Sequence, residues 1–173
     1  FPLVLKGMGH AHKSEAGAVH LNLWSSQAVA QAAADMDSDG YLLEQMVTDG
    51  VAEVLVAVLR DPAHGFVLTI GAGGVMTEIL MDVATRLVPV TAQDVRAALT
   101  ELRLYPVLRG YRGSPGINID ALIQAVLGVQ SFVLETAAHL EEVEINPLIC
   151  TPDRAVAVDA LITMGVSNDR DTD

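Results

Sequence analysis

The chain has 173 residues and a formal net charge of −12 at pH 7, with an isoelectric point near 4.6. That length suits one domain or two small subdomains, and the acidity excludes a protein that grips nucleic acid through a broad basic surface. Half the residues are apolar, but charges break every apolar run before membrane-spanning length, so no membrane partner is expected. A nucleotide site needs only a few local cations and stays open. Cys150 is the only cysteine, which rules out an internal disulfide and points to a reducing compartment, the cytoplasm. At the end of a strand it reads as a small buried apolar residue.

In chain order, Leu3 to Lys6 is a short apolar strand that runs into a glycine-bearing loop, Gly7 to Gly17. Ala18 to Leu23 alternates as a second strand, and Ser25 or Ser26 caps an alanine-rich helix to about Met36. A turn follows at Asp37–Gly40, then a strand from Tyr41 to Val47, and Thr48-Asp49-Gly50 breaks the chain. Val51 to Arg60 and Phe66 to Ile70 read as a hairpin joined by a five-residue loop, Asp61–Gly65. Gly71-Ala72-Gly73-Gly74 comes next, ahead of a short helical-looking run. Thr91, with Asp94 three residues on, predicts a capped helix from Ala92 to about Leu104. Tyr105 to Gly116 is rich in glycine and proline and reads as a loop. Asn118 or Asp120 opens a long helix with the stripe Leu122, Val126, Val129, Val133, Ala137, Leu140. Val143 to Cys150 and Ala155 to Ile162 close the chain as two strands. The class is α+β, with mixed and antiparallel sheets flanked by helices.

Four local features could carry chemistry. With Pro152 and Asp153 as the loop of the closing hairpin, Asn146 falls opposite Asp159, and Glu144 shares its face. Such oxygen-only donors suit a hard divalent cation such as Mg2+. A solvated hairpin face would carry the same residues, and a one-residue slip would move Asp159 to the other side. The Gly71–Gly74 run lets backbone N–H groups approach an anion, although a plain tight turn explains it equally. Lys6, at the end of a buried strand, could face a phosphate or simply snorkel. His12, in the loop after it, could accept a phosphoryl group or do nothing but line a surface loop.

In register, these segments resemble the ATP-grasp domain of ADP-forming acyl-CoA synthetases of the acetate–CoA ligase type, relatives of the succinyl-CoA synthetase β subunit. The matching stretches are Pro2–Lys6, His12–Val19, Leu43–Met46, Val58–Pro62, Gly71–Val75, Glu144–Leu148 and Val158–Ala160. The resemblance implies ATP/ADP and Mg2+ as cofactors. It makes Lys6 similar to a phosphate-contacting lysine, and Glu44, Gln45 and Met46 similar to the hinge whose backbone reads the adenine edge. Glu53 falls where a nucleotide-contacting acid is expected, and Asn146 and Asp159 resemble the magnesium ligands. Gly73, Gly74, Asp82 and Arg86 resemble the segment that closes over the phosphates. His12 resembles a loop histidine that relays phosphate, so that His12 and Arg86 are the catalytic candidates. Gly17-Ala18 departs from the two glycines common at that point.

The resemblance further implies an N-terminally incomplete fold, with residues 1–47 the remainder of one subdomain, 48–163 a second, and 164–173 a disordered acidic tail. The partners it implies are CoA-binding and ligase domains, which carry acyl-CoA and the carboxylic acid, and an oligomer is compatible. Two other readings fit the residues: an ATP-grasp carboxylate–amine ligase fragment, and a truncated remnant without catalysis.

Overall fold

The computed structural model of the chain describes residues 1–8, 17–74 and 77–165. His12 and the acidic tail expected beyond residue 165 lie outside the described residues. The chain divides into two compact units, Phe1–Thr48 and Asp49–Asp173.

The first unit holds β1 (Leu3–Gly7), β2 (Val19–Leu23), α1 (Ser26–Asp35) and β3 (Tyr41–Gln45), with the antiparallel strands in the order β2-β1-β3. Ser25 is the helix cap, its hydroxyl accepting the Ala28 N–H at 3.1 Å. Leu5, Ala18, Leu23, Ala32 and Met36 form the core between sheet and helix. Tyr41 ties the sheet edge to the helix end by donating its hydroxyl to the carbonyls of Ala33 and Met36.

The second unit begins with the hairpin β4 (Ala52–Asp61) and β5 (Gly65–Ala72), followed by α2 (Thr77–Leu80) and β6 (Val83–Leu87). Three helices follow, α3 (Ala92–Glu101), α4 (Tyr105–Leu108) and α5 (Ile119–Glu135), and the unit closes with β7 (Leu140–Cys150), β8 (Ala155–Ala157) and β9 (Ala160–Met164). The sheet runs β6-β5-β4-β7-β8, with β9 also paired to β7, and every pairing is antiparallel. Its core is one layer of helices on one sheet face. Val54, Val56 and Val58 of β4 and Leu68 and Ile70 of β5 meet Val95, Leu99, Leu122 and Val126 from the helices. Each such side chain contributes about 1.5–3 kcal/mol on burial. Alternation sends the intervening residues, among them Glu53 and Ala57, to the face opposite the helices.

Local chemistry explains most boundaries. Thr91 and Asp94 form the expected capping box, and the Asn118 side chain opens α5 by accepting the Ala121 N–H. The stripe predicted to run on to Leu140 stops earlier. The α5 helix ends at Glu135, where the Thr136 hydroxyl folds back onto the Phe132 carbonyl, and Leu140 opens β7 instead. The Arg60 guanidinium then takes the Ala137 and Leu140 carbonyls, giving the released chain its hydrogen-bond partners. Cys150 is fully buried, and burial pushes its thiol up to about 12. Two elements were not anticipated: β6, and the turn of α4 inside the expected loop.

Because Leu99 is fully buried at the centre of the helix–sheet core, Leu99→Ala should destabilise the second unit by about 2–5 kcal/mol. Urea unfolding followed by circular dichroism measures it, and a loss well under 1 kcal/mol would contradict this packing.

Candidate functional site

The β7 strand carries the decisive local feature. It pairs with β4 in one register from Cys150 to Leu148, where Val54 faces Leu148, and in another from Ile145 to Glu142, where Val56 faces Ile145. Asn146 and Pro147 therefore stand together opposite Leu55. The extra residue is a bulge, tolerable because the proline has no N–H to contribute to the ladder. The slip keeps Val143, Ile145, Leu148 and Cys150 all on the helix face, three of them buried and Ile145 packed against the core.

On the other side, β7 keeps one register from Glu142 to Cys150 against β9 and β8, and its only shift there lies between Leu140 and Glu142. Leu148 faces Ala157, Ile145 faces Ala160, and between them Val158 N–H donates to the Pro147 carbonyl at 3.3 Å. Asn146 and Asp159 consequently occupy facing positions, in the short break between β8 and β9. Asn146 Oδ1 accepts the Gly74 N–H at 2.8 Å, which sets it against the glycine segment. Asp159 accepts the Ala160 N–H at 3.1 Å.

The glycine segment is anchored rather than free. Gly73 N–H donates to the Glu53 carbonyl at 2.9 Å, and a Cβ at Gly73 would lie 2.6 Å from the Val54 carbonyl carbon. Gly74 has φ 69°, and a Cβ there would collide with the Glu53 carboxylate. Its carbonyl accepts the Thr77 hydroxyl at 2.7 Å. Both N–H groups are thus engaged within the protein, and the glycines are required here for close approach. Glu53, Glu142 and Glu144 project from the same sheet face, opposite the helices.

Two candidates stand elsewhere. Arg86 faces Leu68 across the β5–β6 ladder, so alternation turns it to the helix side, where it pairs with Glu101 of α3 at 2.5 Å. The pair holds the Glu101 carboxyl below its ordinary value and raises the guanidinium above its own. Asp82 is buried, and its carboxylate accepts the N–H groups of Arg103 at 2.9 Å and Leu104 at 2.8 Å, capping the α3–α4 junction. In this structure Arg86 is engaged by Glu101 on the helix side and Asp82 by the α3–α4 junction, and neither is set beside the glycine turn by a hydrogen bond or ion pair.

In the first unit, Lys6 and Glu44 share a face of the sheet and pair at 2.6 Å, with Lys6 buried. Met46 N–H donates to the Pro2 carbonyl at 3.1 Å and Met8 N–H to the Gly40 carbonyl at 2.9 Å. In an antiparallel ladder, bonded and non-bonded positions alternate. Glu44 and Met46 thus turn their backbone groups toward β1, while Gln45 turns its N–H and C=O outward from the edge strand.

A divalent cation fits the donor set of the second unit. Among the described residues no cluster of three His, Cys, Asp or Glu side chains could hold a metal. Mg2+ does not require one, because it binds through one or two carboxylates plus phosphate oxygens and water. Asn146 and Asp159, facing each other beside the glycine turn, supply hard oxygen donors of that kind.

Comparisons with known proteins add to this geometry. Residues 1–164 match the family model of an ATP-grasp domain. The chain is 34% identical over 173 residues to the beta subunit of acetate–CoA ligase (ADP-forming) I of Pyrococcus furiosus, covering 92% of this chain and 74% of that subunit. It is 32% identical over 179 residues to the beta subunit of the second such ligase of that organism, covering 95% and 75%. Among solved structures, it superposes with a TM-score of 0.85 and 31% identity on the dinucleotide forming acetyl-coenzyme A synthetase 1 of Ca. Korarchaeum cryptofilum, covering 95% and 76%. That protein was captured with coenzyme A and Mg-AMPPCP, its phosphohistidine segment pointing towards the nucleotide binding site.

Replacing Arg86 by glutamine should lower the thermal midpoint slightly at neutral pH and leave nucleotide affinity unchanged. Glu101 has a depressed carboxyl, so the pair stabilises above the ordinary carboxylate value and loses its effect as pH falls through the depressed one. The difference between parent and variant should therefore vanish in acid. A variant that melts like the parent but loses nucleotide binding would return Arg86 to the phosphates.

Proposed function

Since the chain belongs to the ATP-grasp domain family, we propose that it is the nucleotide-binding portion of an ADP-forming acyl-CoA synthetase, using ATP or ADP with Mg2+. The observation that carries this reading is the oxygen-donor pair Asn146 and Asp159 set beside the glycine turn, on a chain aligned almost end to end with ADP-forming ligase subunits. Its reaction exchanges phosphate between ATP/ADP and a phosphohistidine while acyl-CoA forms or is cleaved. The CoA-binding and ligase domains that supply the phosphohistidine, acyl-CoA and carboxylic acid belong to the partner portion of the enzyme. The absence of any possible disulfide fits a cytoplasmic setting.

Each residue has a physical task in this reading. Asn146 and Asp159 hold the cation, which when bound supplies charge neutralisation for the phosphates. The Glu53, Glu142 and Glu144 carboxylates on the same face would otherwise repel a nucleotide tail. Gly73 and Gly74 keep side-chain bulk out of the phosphate region. Lys6 contacts phosphate oxygens from its buried strand end, with Glu44 holding its ammonium in place. Gln45, with its backbone directed outward, reads the adenine edge between Glu44 and Met46 in the hinge. Glu53 contributes its exposed carboxylate to nucleotide contacts.

His12 is the carrier between centres. One imidazole nitrogen attacks the phosphorus of the ligase-domain phosphohistidine, and the old N–P bond breaks as the new one forms. A terminal phosphate oxygen of ADP then takes the phosphoryl group, giving ATP and free imidazole. An unperturbed imidazole, with pKa about 6.5, is largely neutral and nucleophilic at pH 7.

Two measurements test the reading. ATP should raise the melting temperature only with Mg2+ present, corresponding to about 2.7 kcal/mol at a hundredfold excess over Kd. Asp159→Ala should remove the Mg2+ dependence without unfolding the chain; no shift in the parent at millimolar nucleotide sinks the nucleotide role. In the assembled enzyme, His12→Ala should abolish acyl-CoA turnover while the ligase-domain histidine is still phosphorylated from acyl-CoA and phosphate. Near-normal turnover in that variant rules out the relay.

A further inference from the structure

Gly74 is held from three directions. Its N–H is taken by Asn146 from the β7 bulge, its carbonyl by Thr77 at the start of α2, and its α-carbon lies beneath the Glu53 carboxylate of β4. An amide oxygen carries two lone pairs, and the Gly74 N–H uses one of them. Because that N–H demands an acceptor, it also selects which end of the Asn146 amide turns toward the glycines. The oxygen, not the NH2 group, is fixed there, with its second lone pair remaining.

We propose that Asn146 is a coupling residue: the one oxygen that holds the Gly74 turn also ligates the divalent cation, so that cation occupancy and the conformation of the glycine turn are linked. This rests on the nucleotide-binding reading above. When its oxygen is shared with a cation, Asn146 is a weaker acceptor for Gly74. The Gly74 N–H then becomes a donor that an anionic phosphate oxygen can claim. Linkage is reciprocal, so a nucleotide that draws on the Gly74 N–H tightens cation binding by the same factor. Asp159, which accepts the Ala160 N–H at the start of β9, enters the proposal as a ligand. Asn146 is therefore a positioning residue as well as a ligand, which separates the two by experiment.

The test uses the 15N-labelled chain and ADP, with and without Mg2+. In ligand-free protein, Asn146→Ala should speed hydrogen exchange at the Gly74 amide by roughly tenfold relative to the Val56 amide in the core, the cost of one lost hydrogen bond. Asn146→Asp keeps an acceptor oxygen and should retain slow exchange, which a packing defect would not allow. In the parent, Mg2+ added together with ADP should shift the Gly74 amide resonance, and Asn146→Ala should abolish that response. Unchanged Gly74 exchange in Asn146→Ala, or a Gly74 amide indifferent to Mg2+ in a parent that binds Mg-ADP, overturns the coupling alone. A parent that binds no Mg-ADP overturns the nucleotide reading and the coupling with it.

Discussion

The one-residue slip between β4 and β7 is the constraint on which the second unit depends. Strict alternation from Val143 would put Leu148 and Cys150 on the face away from the helices, exposing one flank of the core. By placing Asn146 and Pro147 together opposite Leu55, the strand returns its apolar residues to the helix side. The same slip leaves a polar side chain at the point where β4, β5 and the glycine segment converge. Because the β8–β9 side keeps a single register from Glu142 to Cys150, Asn146 has two different neighbourhoods at once. It faces Asp159 on one flank and reaches Gly74 on the other.

Electrostatics give that geometry its meaning. The chain is strongly acidic, and three glutamates project from the β4–β7 face that also carries the glycine turn. Unit charges of like sign about 4 Å apart near a protein surface repel by roughly 4 kcal/mol. In the nucleotide-binding reading proposed above, a polyphosphate approaching this face needs a compensating cation, and Asn146 and Asp159 are the oxygen donors that would hold it. Arg86, the cation first expected to do so from the sheet, is turned to the helix side and neutralised by Glu101. The net charge of −12 thus excludes a broad nucleic-acid grip yet is consistent with a metal-assisted nucleotide site.

Much of this was legible in the sequence because local rules governed it. The register of the closing hairpin followed from Pro152 and Asp153 alone, since the Thr151 hydroxyl accepts the Asp153 and Arg154 N–H groups and fixes the turn. The helix caps at Ser25, Thr91 and Asn118 were equally local. What could not be read was set by long-range pairing. Edge strand β6 has one buried side chain, Ala84, in a run that otherwise looks like loop. The face on which Arg86 lies depends on its pairing with Leu68, and the fate of Asp82 on a helix junction some twenty residues away. The end of α5 was missed because Ala137 and Leu140 continue the apolar period, while the groups that stop the helix, Thr136 and the distant Arg60, carry no such signal.

The identities at positions 146 and 74 follow from the same two pressures, space and charge. An aspartate at 146 would accept the Gly74 N–H as well as asparagine does, but it would add a further negative charge to a face that already carries Glu53 and Glu144. Asparagine supplies the oxygen without the charge. In the proposed reading, with Asp159 as the single charged member of the pair, a divalent cation held there would keep a net positive charge for phosphate oxygens, whereas two carboxylates would cancel it. At 74, any side chain would strike the Glu53 carboxylate and strain a φ of 69°. Glycine lets that carboxylate, the Asn146 amide and the Thr77 hydroxyl close on one residue from three elements.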